Sequence, residues 1–110
     1  MSTPEARVKR KVTKMLKEED VWYFFPASNG FGRAGIPDII AIVNGIFVGI
    51  ECKADTTKKP TVLQQKCGEE IMLAGGKWGL ARCDEDIEKL RILIGELRDD
   101  GSRQRQGAST

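Results

Sequence analysis

The chain has 110 residues, 40% hydrophobic and 31% charged, enough for one modest core and too few for a second domain. It contains no histidine, which excludes Ser-His and Cys-His nucleophiles, histidine-based zinc sites and an imidazole general base, so any catalysis must run on carboxylates, lysine and metal. The net charge of +2 is too small to argue for nucleic acid by itself, so the distribution of charge has to carry that point.

Cys52, Cys67 and Cys83 lack Cys-x-x-Cys spacing and read as reduced, mostly buried thiols. No stretch approaches the roughly 20 apolar residues of a membrane span, and no apolar signal-peptide core opens the chain, so a soluble, intracellular (cytoplasmic) protein is expected, with no membrane partner.

Thr3 as N-cap, Pro4 at the first helical position and Glu5 in the first turn predict a helix running to about Glu19. Val8, Val12, Met15 and Leu16 form one stripe, and at 100° per residue Glu5 lies inside it, aiming a carboxylate toward the core side. Helix-dipole complementarity accounts for an acid in the first turn but not for its place on the buried face. The opposite face carries Arg7, Arg10, Lys11, Lys14 and Lys17, and with Lys9 the run from 7 to 17 has six cations and no acid. A charge run is more often only a solvated surface, but a one-signed run is the footprint that phosphate contacts leave.

Residues 21–25 read as a strand ended by Pro26, its aromatic rings expected in the core. The following loop sets Gly30, Gly32 and Gly35 at G-x-G-x-x-G spacing. This is a decoy, because a dinucleotide fingerprint needs a helix at the third glycine and here Ile36-Pro37 leads into a strand; no nucleotide cofactor is expected. The glycines let the backbone approach a phosphate or bend sharply, with Arg33 supplying charge, and a merely flexible connection is the equal alternative.

Two β-branched runs, 39–43 and 46–50, flank Asn44-Gly45, the strongest two-residue signal for a type I′ hairpin. If Val43 faces Ile46, Asp38 falls opposite Glu51, with Cβ atoms about 5 Å apart. Two carboxylates that close repel unless a cation lies between them, and a divalent metal resolves the conflict. Alternation puts Lys53 on the Glu51 face and turns the Cys52 side chain away, leaving the Cys52 carbonyl as a further oxygen ligand. Asp38, Glu51, the Cys52 carbonyl and Lys53 thus form a candidate phosphoryl-transfer site for a hard divalent metal. The alternative is a purely structural ion pair between Lys53 and one acid.

A polar connection with Lys58 and Lys59 follows, then Thr61-Val62-Leu63-Gln64 in capping-box form, opening a helix with Leu63, Cys67, Ile71 and Ala74 inward and ending at Gly75-Gly76. Residues 77–83 read as a strand. A last helix starts at Asp84 with Ile87, Leu90, Ile94 and Leu97 inward, and its acids Asp84, Glu85, Asp86 and Glu88 read as helix N-terminal chemistry, not a metal site. One domain is expected over residues 1–97, with 98–110 a disordered polar tail.

The order α-β-β-β-α-β-α, with Pro37-Asp38 and Glu51-Cys52-Lys53 on the hairpin, resembles the PD-(D/E)xK nuclease superfamily and, within it, the virus-type replication-repair nucleases (VRR-NUC). Glu5, Gly35 to Asp38, Glu51 to Lys53 and Thr61 to Gln64 carry the match, over about 5–82; Cys52 stands where a β-branched residue is commoner. The resemblance implies an α/β (α+β) restriction-endonuclease-like core, a mixed central sheet flanked by helices, and metal-dependent hydrolysis of DNA phosphodiesters. It also implies that small stand-alone members from phages and bacteria act as homodimers on branched DNA such as Holliday junctions. On this reading Asp38, Glu51 and the Cys52 carbonyl hold Mg²⁺ or Mn²⁺, with Glu5 a direct or water-mediated ligand. Lys53 orients the nucleophile and stabilises transition-state charge, and Gln64 helps to position water or phosphate. Arg33, Lys58, Lys59, Arg7, Arg10, Lys11, Lys14 and Lys17 track the DNA backbone. The rivals are a catalytically inactive DNA-binding module on the same fold, a protein-interaction factor that does not bind DNA, and a restriction-like or exonucleolytic nuclease on linear DNA.

Overall fold

Thr3 Oγ1 accepts the Ala6 N–H at 3.1 Å and Pro4 occupies the first turn, so α1 (Pro4–Glu18) starts where its capping residues dictate. The computed structural model describes residues 2–27 and 32–108. Val8, Val12, Met15 and Leu16 are the buried stripe of α1. A short strand β1 (Trp22–Phe24) follows, then the hairpin of β2 (Ile39–Val43) and β3 (Ile46–Cys52). Asn44 and Gly45 have φ of 48° and 81°, the two positive values a type I′ turn demands, and Val43 pairs with Ile46. Helix α2 (Val62–Leu73) crosses to β4 (Lys77–Ala81), which runs parallel to β3, and α3 (Asp84–Ala108) closes the chain.

The sheet order is β1-β2-β3-β4, antiparallel at its first two pairings and parallel at the third. This is the expected mixed sheet and element order. On one face, Ile39, Ala41, Val43, Val48, Ile50, Cys52 and Ala81 meet the stripes of α1 and α3 in a single core. Asn44 Nδ2 donates to the Leu97 and Arg98 carbonyls at 3.2 and 2.7 Å, tying the hairpin turn to α3 beside buried Leu97. The helix itself continues past this point to Ala108. Among the described residues no helix is long and apolar enough to cross a membrane.

Two expectations fail on the other face. The rings of residues 22–25 are mostly not core: Trp22, 64% exposed, and Phe24 share the far face, Phe25 just beyond β1 is exposed beside Tyr23, and of the four Tyr23 packs against the core. The reason is coverage, since β1 is an edge strand and α2 lies over the β3–β4 end of this face. Helix α2 is also rotated relative to the expected stripe. Cys67 and Gly68 are buried whereas Leu63 and Ala74 face out. A Cβ at Gly68 would lie 2.2 Å from the Trp78 ring, so the missing side chain lets the indole lie against the helix backbone and sets its roll.

Candidate active site

Pairing of Ile39 with Ile50 brings Asp38 opposite Glu51 at the next step of the ladder, as the turn register requires. Buried Pro37 fixes the approach of the chain, and Asp38 Oδ2 accepts the Cys52 N–H at 2.8 Å. The N–H and C=O of one strand residue point to the same edge, so the Cys52 carbonyl is directed toward the Asp38 side. Its thiol lies in the core, and burial, followed by the nearby Asp38 charge, pushes it up to about 12. The side chain is therefore inert, and the backbone is what Cys52 offers to the site.

Glu51 is only 1% exposed. Its Oε1 accepts from Gln64 Nε2 at 3.1 Å, whereas Oε2 is buried with no hydrogen-bond partner. Burial first, then the adjoining Asp38 carboxylate, push the Glu51 carboxyl up to about 8, against a smaller lowering by Lys53. Gln64 joins the site together: its Oε1 accepts from Lys53 Nζ and from the Thr61 N–H, each at 2.8 Å, while Thr61 Oγ1 accepts the Gln64 N–H at 3.2 Å. Capping the helix and bridging Glu51 to Lys53 are thus one arrangement. Gly35 (φ 80°) sits against this turn so closely that a Cβ there would lie 2.3 Å from the Leu63 carbonyl oxygen.

Glu5 is less enclosed than the α1 stripe suggested, with its side chain 45% exposed. It reaches the acid pair through Lys9, whose Nζ lies 3.9 Å from Glu5 Oε2 and 3.5 Å from Asp38 Oδ1. Lys9 was submerged in the basic run, although its position one helical turn after Glu5 marks it as a neighbour of that acid. Among the described residues, no three His, Cys, Asp or Glu side chains gather closely enough to enclose a metal. The groups here that could donate to a cation are Asp38, Glu51 and the Cys52 carbonyl, with Glu5 at longer reach. A buried acid with one unpartnered oxygen beside a second acid fits a hard, partly hydrated divalent cation.

The basic residues fall into separate groups. Lys11 pairs with Asp84 at 2.9 Å and Arg33 with Glu70 at 2.8 Å, so Arg33 tethers its loop to α2. Arg7 and Lys11 share an open cleft of about 430 Å³ with Ala54, Arg82 and Cys83. Arg10, Lys14 and Lys17 stay exposed along α1, and Lys58 and Lys59 are exposed beyond β3. Gly30 lies outside the described residues, Gly32 is open, and Gly35 serves helix contact. Among the α3 acids, Asp86 accepts the Arg82 N–H at 3.0 Å and the Arg82 guanidinium at 2.7 and 3.2 Å, which holds the Asp86 carboxyl below the usual range.

The fold, with proline and acid entering β2, acid-x-lysine leaving β3 and a helix on either side in sequence, defines the nuclease core of the PD-(D/E)xK superfamily. A solved structure titled "VRR_NUC domain" superposes with a TM-score of 0.72 at 23% identity, over 81% of this chain and 95% of that one. The sequence profile of the archaeal Holliday junction resolvase (Hjc) family matches residues 5–73, from Glu5 through α2. The chain belongs to that family. No curated protein matches it.

Proposed function

We propose that the protein is a Mg²⁺- or Mn²⁺-dependent DNA endonuclease, selective for branched DNA such as four-way junctions, working as a homodimer in the cytoplasm. The observation that carries this reading is Glu51: a buried carboxyl with an unpartnered oxygen, opposite Asp38 and bridged to Lys53 through Gln64. Natural cores seldom leave a buried acid half-satisfied without a use for it.

Asp38, Glu51 and the Cys52 carbonyl would hold the cation, with Glu5 through water. When bound it supplies Lewis acidity toward the phosphoryl oxygens and lowers the pKa of a water. Glu51 must give up its proton to serve as a ligand. Gln64 holds the Lys53 ammonium in place, where it stabilises charge developing on the phosphoryl oxygens as the water oxygen attacks phosphorus and the P–O bond to the leaving sugar oxygen breaks. Arg7 and Lys11 in the cleft, Arg33, Lys58 and Lys59 on the loops, and Arg10, Lys14 and Lys17 along α1 would bind backbone phosphates, giving salt-dependent affinity with little base readout.

The dimer reading is supported by the uncovered sheet face. Trp22, Ile42 and Phe47 stand in register across three strands and are exposed, with Phe24 beside Trp22. Four large side chains make an apolar patch of roughly a few hundred Å², of the size that soluble monomers seldom leave open without use. With a polar rim it supplies one half of a standard interface of about 1,600 Å². A second copy on a two-fold axis covers it and yields two sites, which symmetric cleavage of a four-way junction needs.

The test is cleavage of labelled four-way, flap, linear and single-stranded DNA in Mg²⁺, Mn²⁺ and chelator. Metal-dependent cutting strongest on the four-way substrate is expected. Preference for linear ends would replace the branched-DNA reading, and binding without cutting would leave a DNA-binding module.

A further inference from the structure

The two oxygens of Asp38 have different partners. Oδ2 accepts the Cys52 N–H at 2.8 Å, a tight bond that locks the carboxylate to β3. Oδ1, the oxygen left for a cation, faces Lys9 Nζ at 3.5 Å, and the same ammonium lies 3.9 Å from Glu5 Oε2. Lys9 therefore sits between the α1 acid and the β2 acid, on the side from which a hydrated cation would reach both. Lys53 differs: it donates to Gln64 at 2.8 Å, and among the described residues it makes no ion pair. One ammonium is fixed by a short hydrogen bond; the other is held by two long contacts and is 36% exposed. Only the second can leave at small cost.

We infer that Lys9 is a displaceable counter-cation that couples phosphate binding to metal loading. Without metal it offsets the repulsion between Glu5 and Asp38. A divalent cation at Asp38 and an ammonium at the same oxygen repel each other, so one must withdraw. Lys9 has somewhere to go, because its side chain is 36% exposed and can swing into solvent. A phosphate arriving at the acid pair draws Lys9 away from Asp38 and frees Oδ1. Metal and DNA then tighten each other's binding, as linkage requires whenever two ligands favour the same arrangement. The inference rests on Asp38 and Glu51 forming a metal site, as proposed above.

The experiment titrates Ca²⁺ calorimetrically into the full chain and its Lys9→Met and Lys9→Arg variants, alone and with a short DNA duplex checked for integrity afterwards. Without DNA, K9M should bind Ca²⁺ about fivefold more tightly than wild type, the scale of one lost, partly exposed charge contact. Lys9→Arg, which keeps the charge, should stay near wild type. Adding duplex should tighten Ca²⁺ binding to wild type more than to K9M. Equal or weaker Ca²⁺ binding by K9M, or an equal gain from DNA in both, overturns the role of Lys9 while leaving the metal site standing. Absence of Ca²⁺ binding in every protein overturns both. Thermal unfolding of each variant in chelator separates these outcomes from misfolding.

Discussion

Gln64 Nε2 donates to Glu51 Oε1 at 3.1 Å while Gln64 Oε1 accepts from Lys53 at 2.8 Å, so one amide orients the buried acid and the lysine together. The same oxygen accepts the Thr61 N–H, which makes the start of α2 part of the site. Replacing Gln64 by Ala removes all three contacts. Cleavage should fall about 10- to 100-fold, the usual scale for losing a group that orients a catalytic side chain. Stability should fall by only about 1 kcal/mol, the scale of one lost cap or hydrogen bond. Cleavage rates and urea midpoints on one preparation check both.

Gly35 should be just as sensitive without touching the acids. Its φ of 80° and the 2.3 Å approach of an added Cβ to the Leu63 carbonyl mean that Gly35→Ala must push the loop off the first turn of α2. A loss of about 1–3 kcal/mol is expected from strain of this kind. Cleavage should fall further than the folded fraction does, because Gln64 moves with that turn.

The raised Glu51 carboxyl gives the metal-free protein a defined pH dependence. Between its ordinary value of 4.5 and about 8, folded Glu51 keeps a proton that the unfolded chain releases. The folded state then binds more protons, so its stability falls as pH rises through this window. Urea denaturation in chelator at pH 5, 6.5 and 8 should show that decline. Glu51→Gln, which mimics the protonated acid, should flatten it and be more stable than wild type at pH 8. Saturating Mg²⁺ should also flatten it, since a cation favours the ionised form.

The uncovered sheet face makes its own prediction. Trp22→Glu combined with Phe47→Glu sets two charges among side chains that the single chain leaves exposed. Sedimentation should report a dimer for the parent and a monomer for the variant, with little change in the monomer's unfolding midpoint. A variant that sediments like the parent would assign the dimer to another surface or exclude it.

Much of this was legible in the sequence because local chemistry determined it. Asn44-Gly45 forced two positive φ values, and the register that set Asp38 opposite Glu51 followed by counting. Thr3 and Thr61 announced their helices through the same hydroxyl-to-backbone bonds the structure contains. What depended on assembly was hidden. Alternation in residues 22–24 says which residues share a face, but not whether a helix covers it, so Trp22 was misjudged. The roll of α2 depends on Gly68 accepting the Trp78 ring, a contact between elements that no spacing rule encodes. Lys9 was visible only as one of six cations until Asp38 was seen beside it.

The most direct measurement compares wild type with Asp38→Ala for Mg²⁺-dependent cleavage and for binding of the same labelled four-way DNA. Asp38 accepts the Cys52 N–H and is a ligand in the proposed metal site, so its loss should reduce cleavage by at least about a thousandfold, as expected when a metal-supplied nucleophile and charge stabilisation go together. Binding should remain within about threefold, because phosphate contacts from other residues carry it. Undiminished cleavage by the Asp38→Ala protein would contradict the assignment of this acid pair as the catalytic centre.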